Sequence, residues 1–388
     1  MKRQQRRRAT FPRSLGLLLP LLAGGLAPLS AAPAAHATGA PCAASVPYRS
    51  GTSGYHTFRI PAAVATADGA LLAFAEGRRD SAADDGDIDL VLRRSRDGGC
   101  TWGPLQVVAD AGKDTAGNPA PVVDPATGDV VLLSCGTLGG ATEHDIVYGA
   151  ADASARRVYV QRSADGGATF SPRRDITRDV KRADWNWYAT GPGHAIVLRG
   201  GPHRGRLVVP ADHSLAADGT SGGHALLSDD GGRTWRIGYV SDDLGTVNES
   251  TLTELPGGTL YINARDQGGR AAARDDAYST DGGTSLSTPF RSRPDLSGPE
   301  VQGSVLRTTV RSGGRLLYSG PADPDRRQRM EIRSSADGGR TWRSLWTVSE
   351  DPAGYSDLVQ RTPAQVGLLY ETGSADSRET ITYTPLPG

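Results

Sequence analysis

The 388-residue sequence contains little lysine and no surplus of charge of either sign. Lysine occurs only at Lys2, Lys113 and Lys181, so 40 of the 43 basic residues are arginine, and 43 acidic residues balance them. Nucleic-acid-binding proteins normally carry a basic surplus, so the zero net charge argues against that class of partner. Because arginine is so frequent, a single arginine is informative only through its position in a motif.

Cysteine is also scarce, and its spacing does not indicate a metal site. Cys42, Cys100 and Cys135 form no Cys-x-x-Cys pair, and the seven histidines form no His-Glu-x-x-His motif. We therefore expect no zinc and no cofactor; an acidic loop leaves calcium binding open, although no twelve-residue calcium loop is present. In an oxidising compartment two of the three cysteines can pair and one stays free, and the sequence does not show which.

Apolar stretches long enough to span a membrane are missing. Residues 1–37 contain an arginine-rich start, the apolar run Leu15–Leu29 and the small-x-small sequence Ala35-His36-Ala37, which are the three parts of an export signal. The apolar run is too short for a membrane anchor and contains prolines and glycines. We expect residues 1–37 to be a signal peptide and the secreted, extracellular mature chain to comprise residues 38–388.

Glycine, by contrast, is abundant, at 50 of 388 residues against a usual share of about 7%. This composition disfavours a mainly helical protein. Ten of these glycines lie in a repeated motif, Ser-x-Asp-Gly-Gly-x-Thr-aromatic, hereafter the Asp box, in which Asp-Gly-Gly suits the positive φ angles of a tight hairpin turn. The five copies, the fourth without its aromatic residue, begin at Ser95, Ser163, Ser228, Ser279 and Ser335.

The spacing of the Asp boxes predicts the architecture. From Asp97 to Asp337 four intervals cover 240 residues, a mean period of 60, and alternating segments before the boxes are typical of strands. Antiparallel units of this length need neighbours to cover their faces, which favours an all-β six-bladed β-propeller in a single domain, residues 38–388. The segments 55–76 and 354–383 can complete units that lack a box. The repeat itself does not indicate chemistry.

Five segments outside the boxes contain residues suited to chemistry. They are Phe58-Arg59-Ile60-Pro61, the acidic loop Asp84–Asp89, Glu249 sixteen residues before Arg265, the pair Arg326-Arg327, and Tyr355 sixteen residues before Glu371. In this combination, and with the Asp boxes, the sequence resembles the bacterial exo-α-sialidases (neuraminidases) of the secreted actinobacterial type, from about residue 48 to residue 383. That family is a six-bladed propeller with an arginine triad.

The resemblance implies a role for each of eight residues. Three arginines would bind the substrate carboxylate, a fourth would contact the sugar, one glutamate would orient the first arginine, and three residues would be catalytic. In that order they are Arg59, Arg265 and Arg327; Arg78; Glu371; and Asp84 as acid/base, Tyr355 as nucleophile and Glu249 as the base for Tyr355. Arg326 and Arg329 are the neighbouring arginines that could take the place of Arg327 in the triad.

The chemistry of sialic acid independently needs these residue types. Arginine forks bind carboxylates in a bidentate way and stay charged, so three of them suit a sugar with a carboxylate on its anomeric carbon. A carboxylate nucleophile would be repelled by that group, whereas a neutral phenol is not, and sialidases use tyrosine for this reason. A phenol with a pKa near 10 needs a base, and Glu249 suits that role. The expected activity is retaining hydrolysis through a covalent tyrosyl–sialosyl intermediate.

Other interpretations remain open at this stage. Asp84 shares its loop with Asp85 and Asp87, as in a solvated acidic turn, Tyr355 could be a buried strand aromatic, and Glu249 could cap a turn. The aromatic residues of Trp185–Gly193 could stack on sugar or pack a blade edge. A sialoglycan-binding lectin without turnover and a trans-sialidase are the alternative functions. The expected partners are sialylated glycans, glycoproteins or glycolipids, with the protein acting as a monomer.

Overall fold

The computed structural model describes residues 42–138, 140–268, 274–309 and 314–387. The predicted signal peptide, residues 1–37, lies outside the described residues. Gly39–Gly388 groups into one compact unit. No helix within the described ranges is both long and apolar enough to cross a bilayer.

The described chain is built from strands, which confirms the all-β class. The first half contains β1 (Ser45–Arg49), β2 (Thr57–Ala65), β3 (Leu71–Arg78), β4 (Ile88–Ser95), β5 (Gln106–Ala109), β6 (Thr115–Val123), β7 (Val130–Thr137), β8 (Arg156–Ser163), β9 (Arg174–Asp175), β10 (Trp185–Thr190), β11 (Ile196–Val197) and β12 (Leu207–Leu215). The second half contains β13 (Ser221–Ser228), β14 (Arg236–Ser241), β15 (Val247–Glu254), β16 (Leu260–Asp266), β17 (Arg274–Ser279), β18 (Thr288–Arg293), β19 (Ser304–Arg307), β20 (Leu316–Pro321), β21 (Gln328–Ser335), β22 (Arg343–Thr362), β23 (Gln365–Thr372) and β24 (Thr380–Pro385). Short helices are α1 (Glu143–Val147), α2 (Thr177–Val180) and the 3-10 turns Ala153–Ala155 and Pro294–Leu296.

The antiparallel pairing divides these strands into six blades. Blade 1 is β2 to β5, blade 2 is β6 to β9, blade 3 is β10 to β14 with β10 and β11 sharing the inner edge, and blade 4 is β15 to β18. The 20-residue β22 serves two blades, because its first half pairs with β21 as the outer strand of blade 5 and its second half pairs with β23 as the inner strand of blade 6. The N-terminal β1 pairs with β24 and completes blade 6.

The inner strands contact one another in a closed ring. Strand β2 contacts β6, β6 contacts β10 and β11, β11 contacts β15, β15 contacts β19, β19 contacts β22, and β22 returns to β2. The six-bladed propeller is therefore confirmed. Segment 55–76 is not a separate unit, since it forms β2 and β3 of the blade that carries the first Asp box.

A buried carboxylate, Asp357, ties the ring together near its axis. Its Oδ2 accepts from the backbone N–H groups of Ala63 on β2 (2.8 Å) and His194 in blade 3 (2.9 Å). Its Oδ1 lies 2.7 Å from His194 Nδ1 and accepts from Ser304 Oγ on β19 (2.9 Å). Because its partners come from three blades and Asp357 itself belongs to blade 6, this one side chain, two residues after Tyr355, links the inner edges of four blades.

Each blade is apolar on both faces, since it packs between two neighbours. On β12, Leu207, Val209 and Ala211 join the core between blades 2 and 3, whereas Val208 joins the core between blades 3 and 4. This two-sided burial explains why the second strands read as continuous apolar runs instead of alternating ones.

The Asp boxes all connect the third strand of a blade to the fourth, in blades 1 to 5. In each copy the aspartate Oδ1 accepts from the backbone N–H four residues later, at 2.9 Å. Both glycines have positive φ angles, as the sequence predicts. The second glycine also faces the preceding blade: a Cβ at Gly99 would overlap Tyr383, and one at Gly339 would overlap Tyr261. The boxes are therefore inter-blade contacts as well as turns.

The structure identifies the cysteine pair that the sequence left open. Cys42 and Cys100 form a disulfide, and Cys135 is buried with a free thiol. Cys100 lies in the first Asp box and Cys42 directly precedes β1. The disulfide therefore joins the segment leading into β1, which completes blade 6, to blade 1.

Candidate active site

The strand directions place chemically active residues at one end of the propeller. Inner strands begin at this face, second strands end there, and the loops between second and third strands cross it. Asp boxes, which follow the third strands, lie at the opposite face. A cavity of about 1240 Å³ opens at that opposite face and is lined in part by Asp230, Arg233 and Glu254. None of the eight residues to which the sequence assigns a role in binding or catalysis lines it.

The phenol of Tyr355, on β22, forms the centre of the site. Its hydroxyl donates to Glu249 Oε1 at 2.6 Å, and Arg265 Nη1 lies 3.3 Å from the same hydroxyl. Arg265 Nη1 also donates to Glu249 Oε2 at 2.9 Å. Glu249 is the third residue of the inner strand β15, and Arg265 is the penultimate residue of the adjacent β16, so the β15–β16 hairpin brings both to Tyr355.

The surroundings of Tyr355 act on its ionisation in opposite directions. Burial and the neighbouring Glu249 carboxylate raise the pKa of the phenol far above its ordinary value, while Arg265 and Arg59 lower it. The phenol is therefore protonated in the ligand-free protein. Its proton lies on the hydrogen bond to Glu249, which is the group placed to remove it.

Arg59 is held against Tyr355 by Glu371. The Arg59 guanidinium contacts Glu371 through Nε and Nη2, both at 3.2 Å, and its Cζ lies 4.8 Å from the centre of the Tyr355 ring. Glu371 also accepts from the backbone N–H groups of Ile60 (2.9 Å) and Tyr355 (3.1 Å). Ile60 adopts a positive φ of 58° at an irregularity in β2, which is a strained conformation for a β-branched residue. Glu371 thus fixes both Arg59 and the backbone of Tyr355.

Asp84 lies in the loop between β3 and β4, with 76% of its side chain exposed. Its Oδ1 contacts Arg78 Nη2 at 2.7 Å and Arg59 Nη1 at 3.4 Å. Partial desolvation opposes ionisation of Asp84, but the two guanidinium groups outweigh it and hold its pKa below the ordinary value. Arg78 is itself buried, and its Nη2 donates to Glu76 Oε2 at 2.6 Å. The two guanidinium groups therefore favour the ionised form of Asp84 at the rim of the site.

Arg327 completes the group predicted from the sequence. Its Cζ lies 5.9 Å from the centre of the Tyr355 ring, and its Nη2 donates to the backbone carbonyl of Glu300 at 2.9 Å. Of its neighbours, Arg329 donates to the Ala322 carbonyl instead. The structure therefore brings all eight predicted residues together, in an unbroken series of contacts from Arg78 through Asp84, Arg59, Glu371, Tyr355 and Glu249 to Arg265, with Arg327 at the Tyr355 ring.

Sequence reasoning missed several polar residues around this group. Glu300 accepts from Arg265 Nη2 at 2.9 Å. Asn118, at φ 53°, accepts from Arg156 Nη2 at 2.6 Å and its N–H donates to Glu76 Oε1 at 2.9 Å. No motif marks these positions. Asn118 lies within the inner strand β6 and Glu300 in the loop before β19, and only the folded chain shows which residues they meet.

Two further carboxyl groups act on the electrostatics of the site. Asp212, on β12, is fully buried, and neither of its oxygens has a hydrogen-bond partner among the described residues. Burial, with Glu249 and Glu143 nearby, raises its pKa well above the ordinary value. Desolvation and Glu249 likewise raise the pKa of Glu143, which begins α1. The pKa values of both groups are thus raised, because a further negative charge is disfavoured close to the Glu249 carboxylate.

The aromatic segment after α2 is mainly structural. Trp185 and Tyr188 are buried in the core between blades 2 and 3, where the Trp185 ring stacks on His213. Trp187 is partly exposed beneath the guanidinium of Arg156, whose Cζ lies 4.0 Å from the ring centre. Of the two interpretations of this segment, packing of a blade edge therefore holds for Trp185 and Tyr188.

Comparisons with known proteins point to one family. The profile of the BNR repeat-like domain matches residues 69–368. A sialidase of Micromonospora viridifaciens is 35% identical over 342 residues, covering 84% of this chain and 51% of that protein. An exo-alpha-sialidase of Aspergillus fumigatus is 33% identical, with 82% and 79% covered. Among solved structures, the Hadza microbial sialidase Hz136 has a TM-score of 0.77 and 28% identity over 88% of this chain and 68% of that one. The chain thus spans about half the length of the Micromonospora relative.

Proposed function

Because this chain belongs to the sialidase family of glycoside hydrolases, we propose that it hydrolyses terminal α-linked sialic acids from glycoconjugates, with retention of configuration at the anomeric carbon. The substrates in this proposal are sialylated glycans, glycoproteins or glycolipids. Secretion after removal of residues 1–37 is a separate proposal, which N-terminal sequencing of the exported protein would test.

One observation supports the mechanism above the others: the 2.6 Å hydrogen bond from the Tyr355 phenol to Glu249, beside Arg59 and Arg265. A tyrosine whose proton faces a carboxylate and whose oxygen faces a guanidinium can become a nucleophile without a stable phenolate in the free protein. A lectin has no need for such a pair, so the arrangement favours turnover over binding alone.

In the proposed reaction, the arginines bind the sugar carboxylate and place the anomeric carbon over the Tyr355 oxygen. Asp84 donates a proton to the glycosidic oxygen as that bond breaks, while Glu249 takes the phenol proton and the Tyr355 oxygen bonds to the anomeric carbon. In the second step Asp84 removes a proton from water, which attacks the same carbon. The Tyr355 oxygen then leaves and recovers its proton from Glu249, which restores every group.

A fluorogenic α-sialoside assayed between about pH 4 and 7, where carboxylates titrate, tests this proposal. We expect release by the wild type, and loss of nearly all release in Tyr355→Phe and Asp84→Ala. Tyr159→Phe, at a partly exposed strand tyrosine of blade 2, is the matched control and should keep full activity. Glycan binding without release by the wild type would indicate a lectin. Sialyl transfer to an added galactoside in preference to water would indicate a transferase.

A further inference from the structure

Glu300 forms an ion pair with Arg265, an arginine that the proposed reaction needs for binding the substrate carboxylate. Glu300 Oε1 accepts from Arg265 Nη2 at 2.9 Å, and Arg265 Nη1 already contacts Glu249 and Tyr355. A substrate carboxylate binds an arginine best through two parallel N–H groups of the fork. Since Glu300 accepts from Nη2, it competes with the substrate for the same guanidinium.

The side chain of Glu300 is partly exposed, whereas its backbone is anchored by hydrogen bonds. With 43% of its side chain exposed, Glu300 is the accessible partner of Arg265, whereas Glu249 is about nine-tenths buried. The Glu300 carbonyl accepts from Arg327, and the next carbonyl, of Val301, accepts from Arg274 Nη1 at 2.6 Å. The loop is therefore held from two sides, and rotation of the Glu300 side chain alone would free Arg265.

The charges around Glu300 make this rotation responsive to an anion. Arg265 on β16 attracts its carboxylate, and the Arg327 side chain on the β20–β21 loop contacts its backbone. Glu249 on β15 is a like charge bound to the same guanidinium. A substrate carboxylate beside Arg265 would add a second like charge, and would therefore drive Glu300 toward solvent.

We propose that Glu300 is a displaceable internal carboxylate that holds Arg265 in the ligand-free protein and weakens binding of the substrate carboxylate. The inference rests on the proposed function for its substrate. Glu300 is a specificity-determining residue in this view, since only ligands with an anionic group gain from displacing it. It takes no part in bond making or breaking.

The test compares wild type with Glu300→Gln and Glu300→Ala. With the fluorogenic α-sialoside we expect KM to fall by about 3-fold or more in both variants while kcat changes by less than about 2-fold, since a partly exposed ion pair is a modest competitor. Calorimetric binding of 2,3-dehydro-N-acetylneuraminic acid should tighten by a similar factor, and its methyl ester should show no such gain. Glu350→Gln, at an exposed glutamate in the blade 5 half of β22, is the matched control.

The outcomes separate this inference from the proposed function. If Glu300 instead positions Arg265 for the substrate, KM and the dissociation constant will rise in both variants, which would overturn the inference. Unchanged values, or an equal gain for the methyl ester, would also overturn it. Calorimetry measures the effect of Glu300 on ligand binding even if the wild type releases no fluorophore. A lack of fluorophore release would count against the proposed function and not against this inference.

Discussion

The Tyr355 hydroxyl donates a 2.6 Å hydrogen bond to Glu249 Oε1, and the two residues come from blades 6 and 4 across the propeller axis. The bond is short for a neutral donor, as expected when the acceptor is a carboxylate and both side chains are buried. Since Arg265 contacts both partners, loss of the phenol proton to Glu249 moves charge within a group that is already compensated.

Glu249→Gln should lower kcat for the α-sialoside by about 100-fold to 10,000-fold, the range that a general base contributes. Glutamine keeps the shape and can accept the hydrogen bond from Tyr355, but it cannot take the proton. Glu254 lies on the same strand at the opposite face, where its carboxylate accepts from the Arg199 and Gly200 N–H groups. Glu254→Gln therefore serves as the control. Steady-state kinetics of both variants check the prediction; a loss below about 10-fold in Glu249→Gln would remove the base assignment.

The pH dependence of turnover should differ between the free enzyme and the complex. The pKa of Asp84 is lowered by Arg78 and Arg59, against the effect of desolvation, and a general acid must be protonated to act. Binding of the substrate carboxylate occupies Arg59 and adds a negative charge, which raises the pKa of Asp84. We therefore expect the alkaline limb of kcat to lie at higher pH than that of kcat/KM.

The measurement is a pair of pH profiles with a natural sialyl-lactose substrate, whose poor leaving group makes the proton donor necessary. Asp85→Asn, at the adjacent position of the same loop, should leave both profiles unchanged. Identical alkaline limbs for kcat and kcat/KM would show that substrate binding at Arg59 does not raise the pKa of Asp84.

Much of the fold could be predicted from the sequence because the Asp boxes recur in it at a nearly constant period. Both glycines of each box adopt positive φ angles in the turn, so Asp-Gly-Gly is retained in all five copies. The motif can therefore be recognised even in the copy whose aromatic residue is replaced by Leu286. The shared strand β22 and the disulfide from Cys42 to Cys100 could not be predicted. Both follow from closure of the ring, which brings the chain ends together and leaves no local pattern.

The residues of the site likewise include some that the sequence predicts and some that it does not. Arg59 lies in the Arg-Ile-Pro motif, and Glu249 and Tyr355 each lie sixteen residues before a partner on the next strand, so all three could be predicted from the sequence. Glu300 meets Arg265 of blade 4, and Asn118 meets Arg156 of its own blade and Glu76 of blade 1, yet no motif or fixed spacing links these residues in the sequence. Contacts that form only on folding therefore determine this part of the site.

Gly339 in the fifth Asp box should tolerate alanine far less well than a glycine elsewhere with the same backbone. Gly339 has a φ of 92°, and a Cβ there would overlap the buried ring of Tyr261 in blade 4. Gly69 has a φ of 84° but faces open space. Gly69→Ala should cost roughly 1 kcal/mol in the free energy of unfolding from φ alone, and Gly339→Ala about 3 kcal/mol or more. Denaturant unfolding checks this; equal losses would mean that the box does not pack against the preceding blade.

Asp212→Asn should stabilise the protein, and increasingly so as pH rises. Burial raises the folded-state pKa of Asp212 well above the value near 3.9 of an unfolded aspartate, so the folded chain retains a proton that the unfolded chain releases. The stabilisation linked to this proton is fully present below pH 3.9. Above that pH the free energy of unfolding falls by about 1.4 kcal/mol per pH unit until the folded-state pKa is reached. Asparagine has the same shape and no ionisation cost, so the difference in free energy of unfolding between variant and wild type should grow from pH 4 to pH 6. Urea unfolding at several pH values measures it. A pH-independent difference would mean that Asp212 is ionised in the folded protein, with a compensating partner close to Glu249.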